Sequence, residues 1–566
     1  MNQGFDLDVL VVGGGPTGLV AAAELLARGV SCRIIDQVPE RSDKSRALVV
    51  HARTLELMAK MGIADTLVAR GRRAMGASLY VERRHAADVQ LGDIGAPDTA
   101  YPFMLFVSQV ETERLLEEHL ARLGGQVERP VALVGFRMEG DGQGAQGGGV
   151  IADLRHGDGK SETVRARYLV GADGAHSMVR KGAGISFHGA PYPQDFILAD
   201  IEAEWPPGDR LCIFLSKRGL LAVFPFGSPR FRLIASRTGA TAPEAADAGE
   251  PTLAEMQAVV EEQCPFPVTL GTPRWLARFH LHHRGVDRYR EGRAFVAGDA
   301  AHIHSPAGGQ GMNTGIQDAY NLAWKLSLVL KGRAPEALLD SYNEERHPIG
   351  QQLLRTTDRM FSFTATSHPI LLSLRNLALP RIVPVVLRTQ QRRAWLFHFL
   401  SQLGIHYRWS SLVEEHARQG AARFHDGPRA GDRAPDGALG GGAGEPEKML
   451  LGQLRGQGFH LLLFTGMGAG GSEGAPLSAW AAEVGRALES RTDLVTPVVV
   501  LGAAAGPVPP PLTLAGVDEQ GLLHRAYGLE GPGCYLVRPD GYIAFRSPGT
   551  DLSALTSYLQ RLLPVH

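Results

Sequence analysis

Three glycines in the pattern Gly13-x-Gly15-x-x-Gly18 are the first residues in this chain whose spacing points to chemistry. Gly13 permits a tight turn, Gly15 lets bare backbone approach a diphosphate, and Gly18 lets a helix pack on a strand without a Cβ between them. A helix starting at this turn offers free N–H groups and its positive dipole end to phosphates. Asp36 follows 18 residues after Gly18, where a carboxylate can accept hydrogen bonds from ribose hydroxyls. The pattern predicts dinucleotide binding but does not by itself choose between FAD and NAD. In a chain with 69 glycines, a glycine-rich turn without a ligand is the competing reading.

Two further segments carry acids at strand ends. Residues 168–180, YLVGADGAHSMVR, run from a strand into Asp173-Gly174 and then a helix capped near Ser177. Residues 292–313, GRAFVAGDAAHIHSPAGGQGMN, run from a strand into Gly298-Asp299, then a glycine-rich loop, then a helix starting near Met312. Asp299 can bind ribityl hydroxyls. Gly308, Gly309 and Gly311 let backbone lie against a flat ring, and the helix start at Met312 and Asn313 can stabilise negative charge at a reduced flavin's N1–O2 edge. Each aspartate could instead be a simple helix cap. All three motifs together favour FAD.

These motifs need elements to hold them. LDVLVV at residues 7–12 reads as a buried strand, 19–27 as a helix stopped by Gly29, and 31–35 as a second strand ending at Asp36. Residues 196–237 hold four alternating runs, FILADIEAE, LCIFLS, LLAVFPF and FRLIASR, which predict an antiparallel sheet. Glycines at 140–149 predict a hairpin tip. The glycine- and proline-rich stretch 427–447 predicts a linker or exposed entry loop before a separate C-terminal unit. The apolar run 369–388 is interrupted by Arg375, Pro380, Arg381 and Pro384, so it predicts a partly buried helical connection, with an apolar lip for a greasy substrate as the alternative.

Bulk properties exclude several classes. The chain has 566 residues, 44% hydrophobic and 21% charged, with a formal net charge of −1. That suits a multi-unit globular protein and gives no basic excess for nucleic acid. The cysteines Cys32, Cys212, Cys264 and Cys534 are far apart and form no C-x-x-C pair, so neither a disulfide framework nor a metal site is expected. Asp6 and Asp8 stand where a signal peptide would be basic. The expectation is a cytoplasmic protein without membrane partners.

The three motifs resemble those of the class A flavoprotein aromatic hydroxylases, the para-hydroxybenzoate hydroxylase type, and above all the longer phenol hydroxylases and aromatic-polyketide hydroxylases. The resemblance covers nearly the whole chain. It implies an α/β architecture: a Rossmann-like FAD-binding fold (1–185 and 281–365), an inserted antiparallel-sheet substrate domain (75–108 and 186–280), a helical connection (366–425) and a C-terminal thioredoxin-like domain (426–566). SRALVVHARTLELM at 45–58 resembles the segment whose Arg, here Arg46, lies near the diphosphate. SQVETERLL at 108–116 resembles the helix whose Gln, here Gln109, reaches the flavin side. The implied cofactor set is Gly13, Gly15, Pro16, Thr17, Gly18, Asp36, Gln37, Arg46, Gln109, Asp173, Asp299, Pro306, Gly309, Gln310, Gly311, Met312 and Asn313. Pro306 and Arg46 are the catalytic candidates, Pro306 as the residue over the flavin C4a region. Asp36 stands where many relatives have Glu. AGDRAPD at 430–436 resembles the entry to the thioredoxin-like domain, which without C-x-x-C is structural or dimer-forming, so a homodimer stays open.

The implied activity is FAD-dependent monooxygenation. NADPH or NADH acts as transient co-substrate, O2 as oxidant, and a flavin C4a-hydroperoxide hydroxylates a phenol or aromatic polyketide. Phe224 and Phe226 share one side of a strand expected to pass over the flavin, so they are substrate-lining candidates against a plain core reading. His302, His304, His280, His282 and His283 lie near the loop, where a structural role is the stronger reading. Two alternatives stay open: Baeyer–Villiger oxygenation by the same flavin chemistry, and a non-catalytic flavoprotein that sequesters an aromatic drug.

Overall fold

A computed structural model describes residues 4–45, 47–74, 76–90, 96–139, 148–227, 229–241, 250–305, 307–364, 369–386, 388–416, 422–440, 448–467, 477–502 and 508–564. The strand Leu7–Val12 is apolar at every position but one, and Val9, Leu10 and Val11 are fully buried. It lies parallel to Cys32–Ile35 on one side and to Ser161–Gly171 on the other, and Ser161–Gly171 is in turn parallel to Ala294–Val296. Their register ends on one cross-strand row, Ile35, Val12, Gly171 and Val296. The next residues of these strands are the turns that carry Asp36, Gly13, Asp173 and Asp299. Parallel strands joined by helical crossovers leave all their carboxyl ends at one edge, which is where such sheets bind ligands. The hairpin Val131–Glu139 with Gly149–His156 extends this sheet. The tip expected at 140–149 lies outside the described residues up to 147.

The alternating runs form a second eight-stranded sheet, in the order His302–Ile303, Leu270–Val286, Phe187–Ala203, Arg230–Thr241, Gly219–Gly227, Leu211–Ser216, Gly76–Val81 and Arg84–Gln90. All neighbours are antiparallel except Leu211–Ser216 with Gly76–Val81. One face packs Ile197, Phe214, Val223 and Leu233 against the helix Leu253–Gln263 through Met256, Val259 and Val260. The opposite face packs Phe224 and Phe226 against Val49, Met104, Phe106 and Phe397. The edge strand His302–Ile303 comes directly after the Asp299 turn, so this sheet is anchored at the nucleotide edge of the first.

The C-terminal residues form a six-stranded sheet ordered Glu414–Glu415, Ile543–Pro548, Gly533–Val537, Phe459–Phe464, Val495–Leu501 and Thr513–Val517. The strands expected at 459–464, 498–501, 534–537 and 541–546 are all present, and Cys534 is fully buried. The expected linker is not loose where it is described. Ala430, Arg433, Ala434 and Asp436 are buried, because Arg433 forms ion pairs with Glu56 and Asp98.

The apolar run 369–388 is helical and partly buried where it is described, as expected, and its prolines do not end the helix. Residues Pro369–Val386 stay helical through Pro380 and Pro384. On an exposed helix, water can take up the carbonyls that the prolines leave unpaired. Leu372 and Arg375 are buried, while Leu371, Leu374, Leu377, Ile382 and Val385 are each more than half exposed. No helix among the described residues is long and apolar enough to cross a membrane. Between Asp358 and Glu414 the chain has no acidic residue, yet it carries Arg359, Arg375, Arg381, Arg388, Arg392, Arg393 and Arg408.

A line of buried charges joins the C-terminal sheet to the first unit. Glu345 accepts from Lys325 at 2.8 Å and pairs with Arg538. Arg538 also pairs with Asp540 at 2.6 Å, and Arg53 donates to the Asp540 carbonyl. Arg53 pairs with Glu56 at 2.7 Å, and Glu56 with Arg433 at 2.9 Å. Burial pushes the Lys325 ammonium down to about 8 despite Glu345 beside it. Removing one partner of such a set strands the others, at about 3–5 kcal/mol. Glu345→Ala should therefore lower the unfolding free energy measured by urea denaturation by an amount in that range. Arg408→Ala, which breaks the half-exposed pair with Asp432, should cost about 0–1 kcal/mol. Equal losses from both variants would show that the buried set contributes no more than a surface pair.

Candidate active site

The glycine turn is shaped by close backbone contact. Gly13 has φ +111°, and a Cβ there would lie 2.2 Å from the Ala172 carbonyl oxygen. A Cβ on Gly18 would lie 1.9 Å from the Gly13 carbonyl oxygen. Gly15 faces open space, with nothing within 4 Å of a Cβ built there. The helix Pro16–Ala27 begins at this point with no side chain capping its N–H groups, and Pro16 takes the position where a missing N–H is harmless. An uncapped helix start beside an open cradle is a built anion site. Asp36 Oδ2 accepts from the Gly14 N–H at 2.7 Å and Oδ1 from the Val38 N–H at 3.1 Å. A carboxylate has acceptor capacity beyond those two bonds for ribose hydroxyls. Gln37 is exposed beside it. Thr17 packs instead against Gly298 and Gly315: a Cβ on either glycine would lie 2.6 or 2.4 Å from its hydroxyl.

Asp173 Oδ2 accepts from the Met178 and Val179 N–H groups at 2.7 and 3.2 Å, and Ser177 caps the short helix, so the helix-capping reading of Asp173 holds for that oxygen. Its Oδ1 is buried without a hydrogen-bond partner among the described residues. Burial raises the carboxyl above its ordinary value in spite of the hydrogen bonds it accepts. Arg180 links this turn to the next, donating to the Ala175 carbonyl at 2.8 Å and the Ala300 carbonyl at 2.9 Å. Asp299 is exposed between buried Gly298 and Ala300, at the edge that the Gly15 cradle also faces.

Gly308 and Gly309 take φ +81° and +62°, in the left-handed region that favours glycine. The helix Gly311–Leu330 starts where expected. The Asn313 side chain is not available to a flavin. Its Oδ1 accepts from the His51 N–H, and its Nδ2 donates to the Val49 and Gly309 carbonyls at 2.8 Å each. What Asn313 and Met312 can still offer is the open backbone end of the helix. Gln310 is buried and donates weakly to the Leu400 carbonyl at 3.4 Å. His51, which the sequence reading passed over inside its own 45–58 segment, donates from Nε2 to the Gly308 carbonyl at 2.9 Å. Burial pushes its imidazole down to about 4, so it is neutral near pH 7.

Arg46 and Pro306, the two catalytic candidates, lie outside the described residues. The chain beside Arg46 is pinned. Gln109 Oε1 accepts from the Ala47 N–H at 3.0 Å, Gln109 N–H donates to Ser45 Oγ at 2.9 Å, and Gln109 Nε2 donates to Glu113 at 2.7 Å. Two of the five histidines, His302 and His304, have structural partners. His302 Nε2 bonds Asp318 at 2.8 Å, and His304 Nδ1 donates to the Ser305 carbonyl at 2.7 Å, with burial pushing His304 down to about 4.

Phe224 and Phe226 are half-buried on one side of their strand. Phe224 meets Phe106 edge to face at 6.2 Å, and the Arg232 guanidinium lies 5.1 Å from the Phe226 ring while paired twice with Asp200. Val49 belongs to the same apolar cluster and also touches the glycine-rich loop, 3.0 Å from where a Gly309 Cβ would sit. An apolar wall therefore runs up to the glycine-rich loop. An uncapped anion cradle, strand-end carboxylates and a flat glycine loop beside that wall fit FAD.

The sequence profile of the FAD binding domain family matches residues 6–357. A 6-methylpretetramide 4-monooxygenase of Streptomyces rimosus is 37% identical over 564 residues, spanning 98% of this chain and 93% of its own. The pentachlorophenol 4-monooxygenase of Sphingobium chlorophenolicum is 33% identical over 564 residues, spanning 96% and 95%. The solved ternary complex of aklavinone-11 hydroxylase with FAD and aklavinone superposes with a TM-score of 0.74 at 26% identity, over the full length of both chains.

Asp299→Ala should weaken FAD binding about ten- to hundredfold, the loss of a charge-assisted hydrogen bond worth roughly 1.5–3 kcal/mol. Titration of apoprotein by flavin fluorescence quenching measures this. An unchanged affinity would leave Asp299 with no role beyond its turn.

Proposed function

The chain belongs to the class A flavoprotein aromatic hydroxylases, and from that premise we propose that its substrate is a polycyclic aromatic polyketide, hydroxylated on a ring carbon. The observation that carries this reading is the apolar wall of Val49, Met104, Phe106, Phe224, Phe226 and Phe397 meeting the Gly308–Gly309 loop. A fused-ring substrate offers the flat apolar face that such a wall buries. The 6-methylpretetramide 4-monooxygenase likeness supports it from outside the structure.

Bound FAD would supply hydride acceptance from NAD(P)H and activation of O2, one oxygen atom of which goes to the substrate. The chain's own residues bind, orient and exclude. The open N–H groups at Gly15–Gly18 would take the diphosphate, and Asp36 the ribose. Asp299 would take the ribityl hydroxyls, and the start of the Gly311–Leu330 helix would face the charge that builds on the reduced ring. Arg46 would serve the diphosphate and the nicotinamide nucleotide, and Pro306 would lie over the ring. The wall would keep water from the reacting edge.

The parallel pair Phe459–Phe464 and Val495–Leu501, flanked by antiparallel Gly533–Val537 and Ile543–Pro548, supports a thioredoxin-like reading of 426–566. Burial pushes Cys212 up to about 11 and Cys264 and Cys534 up to about 12, and it raises Cys32 further still. Thiols held that high are inert near neutral pH, in keeping with a structural role for this unit.

A true substrate should accelerate NADPH oxidation well above the basal rate. Under 18O2 its product should gain one labelled oxygen on a ring carbon, read by mass spectrometry. Label in a new ester would mean Baeyer–Villiger insertion. Tight binding of aromatic compounds with no stimulated NADPH use by any of them would mean sequestration.

A further inference from the structure

Asp318 lies two turns into the Gly311–Leu330 helix and is completely buried, yet it touches the turn that carries Asp299. Its Oδ2 accepts from the Gly298 N–H at 3.1 Å and from His302 Nε2 at 2.8 Å. Its Oδ1 accepts from Arg346 Nε at 2.7 Å. The same guanidinium donates to the Thr314 carbonyl at 3.2 Å and the Tyr407 hydroxyl at 2.8 Å. Burial alone would raise the Asp318 carboxyl, but Arg346 and His302 hold it below its ordinary value.

The backbone explains why this carboxylate is needed. The strand ends at Val296, Ala297 N–H still bonds the Gly171 carbonyl, and the chain then turns at Gly298 with φ +60°. That turn aims the Gly298 N–H into the protein, where no strand can receive it. A buried N–H left without an acceptor relaxes the backbone around it. The adjacent peptide is the one from which Asp299 projects.

We propose that Asp318 is a positioning residue that bolts the Asp299 turn to the helix whose first turn faces the flavin ring, and so fixes the spacing between the ribityl and ring ends of the FAD site. The inference rests on the reading of Asp299 and the Gly311–Leu330 helix as FAD contacts. From Met312 to Asp318 the helix rises about 9 Å, so one rigid element spans from the ring end to the underside of the Asp299 turn. Thr17, packed between Gly298 and Gly315, also keeps turn and helix in contact, but Asp318 is the helix side chain that hydrogen-bonds the backbone of the turn and so sets its height on the helix. His302 and Arg346 act through Asp318: one holds Oδ2 under Gly298, the other holds the carboxylate charged.

A double-mutant cycle on FAD affinity separates positioning from general support of the fold. Apoprotein forms of Asp318→Asn, Asp299→Ala and the double variant are titrated with FAD, and each apoprotein's urea midpoint is measured alongside. Asp318→Asn should weaken FAD about tenfold when Asp299 is present and about twofold or less when it is absent. The absorption bands of FAD bound to Asp318→Asn should also lose fine structure as the ring end loosens. Equal weakening in both backgrounds would overturn the proposal and make Asp318 a stability residue. If Asp318→Asn does not fold, His302→Asn takes its place, since it leaves Asp318 paired with Arg346 but frees Oδ2; the same dependence on Asp299 is expected, and additivity overturns it. Failure of the wild-type protein to bind FAD would instead refute the functional reading beneath this one.

Discussion

The register of the first sheet governs everything else. Because Ile35, Val12, Gly171 and Val296 fall on one cross-strand row, the chain leaves the sheet four times at the same height. Parallel pairing is what makes this so: a one-residue slip in any strand would reverse its buried side chains and move its turn off the edge. Val9, Leu10 and Val11, with no exposed surface at all, hold the strand in the core, and Gly13, with no room for a Cβ against the Ala172 carbonyl, fixes its register. The chemistry at the edge therefore rests on apolar burial beneath it, and the turns then interlock. Arg180 ties the Asp173 turn to Ala300, and Thr17 wedges between Gly298 and Gly315.

The second constraint is electrostatic. The charges running from Lys325 and Glu345 through Arg538, Asp540 and Arg53 to Glu56 and Arg433 are buried between units that the sequence presents as separate. Buried ions are weak evidence of stability but strong evidence of a specified arrangement, since each tolerates few alternative partners. The C-terminal sheet is held in one pose against the nucleotide-binding unit, and the segment at Arg433 is drawn in with it.

Much of the nucleotide edge was legible because glycines and strand-end acids obey local geometry. Gly13, Gly15, Gly18, Asp173 and Asp299 fall at turns that backbone sterics demand, and the strands before them are continuous apolar runs. The side chains that hold these turns from behind were not legible. Asp318 sits in a helical run where nothing marks it, and its partners His302 and Arg346 come from other elements. His51 was hidden for the same reason, since its partner Gly308 is more than 250 residues away in the chain. Asn313 and Gln109 were legible by position but not by duty: their amides serve the backbone at Val49, Gly309 and Ala47. The stretch at 427–447 read as loose because composition reports flexibility and cannot report a buried arginine.

The half-exposed helix Pro369–Val386 has a colloidal consequence. It presents Leu371, Leu374, Leu377, Ile382 and Val385 to solvent within a stretch that carries arginines and no acid. In dilute buffer two such faces repel each other, and their apolar side chains stay apart. At about 1 M salt the screening length falls to about 3 Å, and the repulsion fades while apolar attraction remains. The protein would then disperse best in weakly ionic solution and gather into clusters as salt is added, the reverse of a protein whose association is driven by opposite charges.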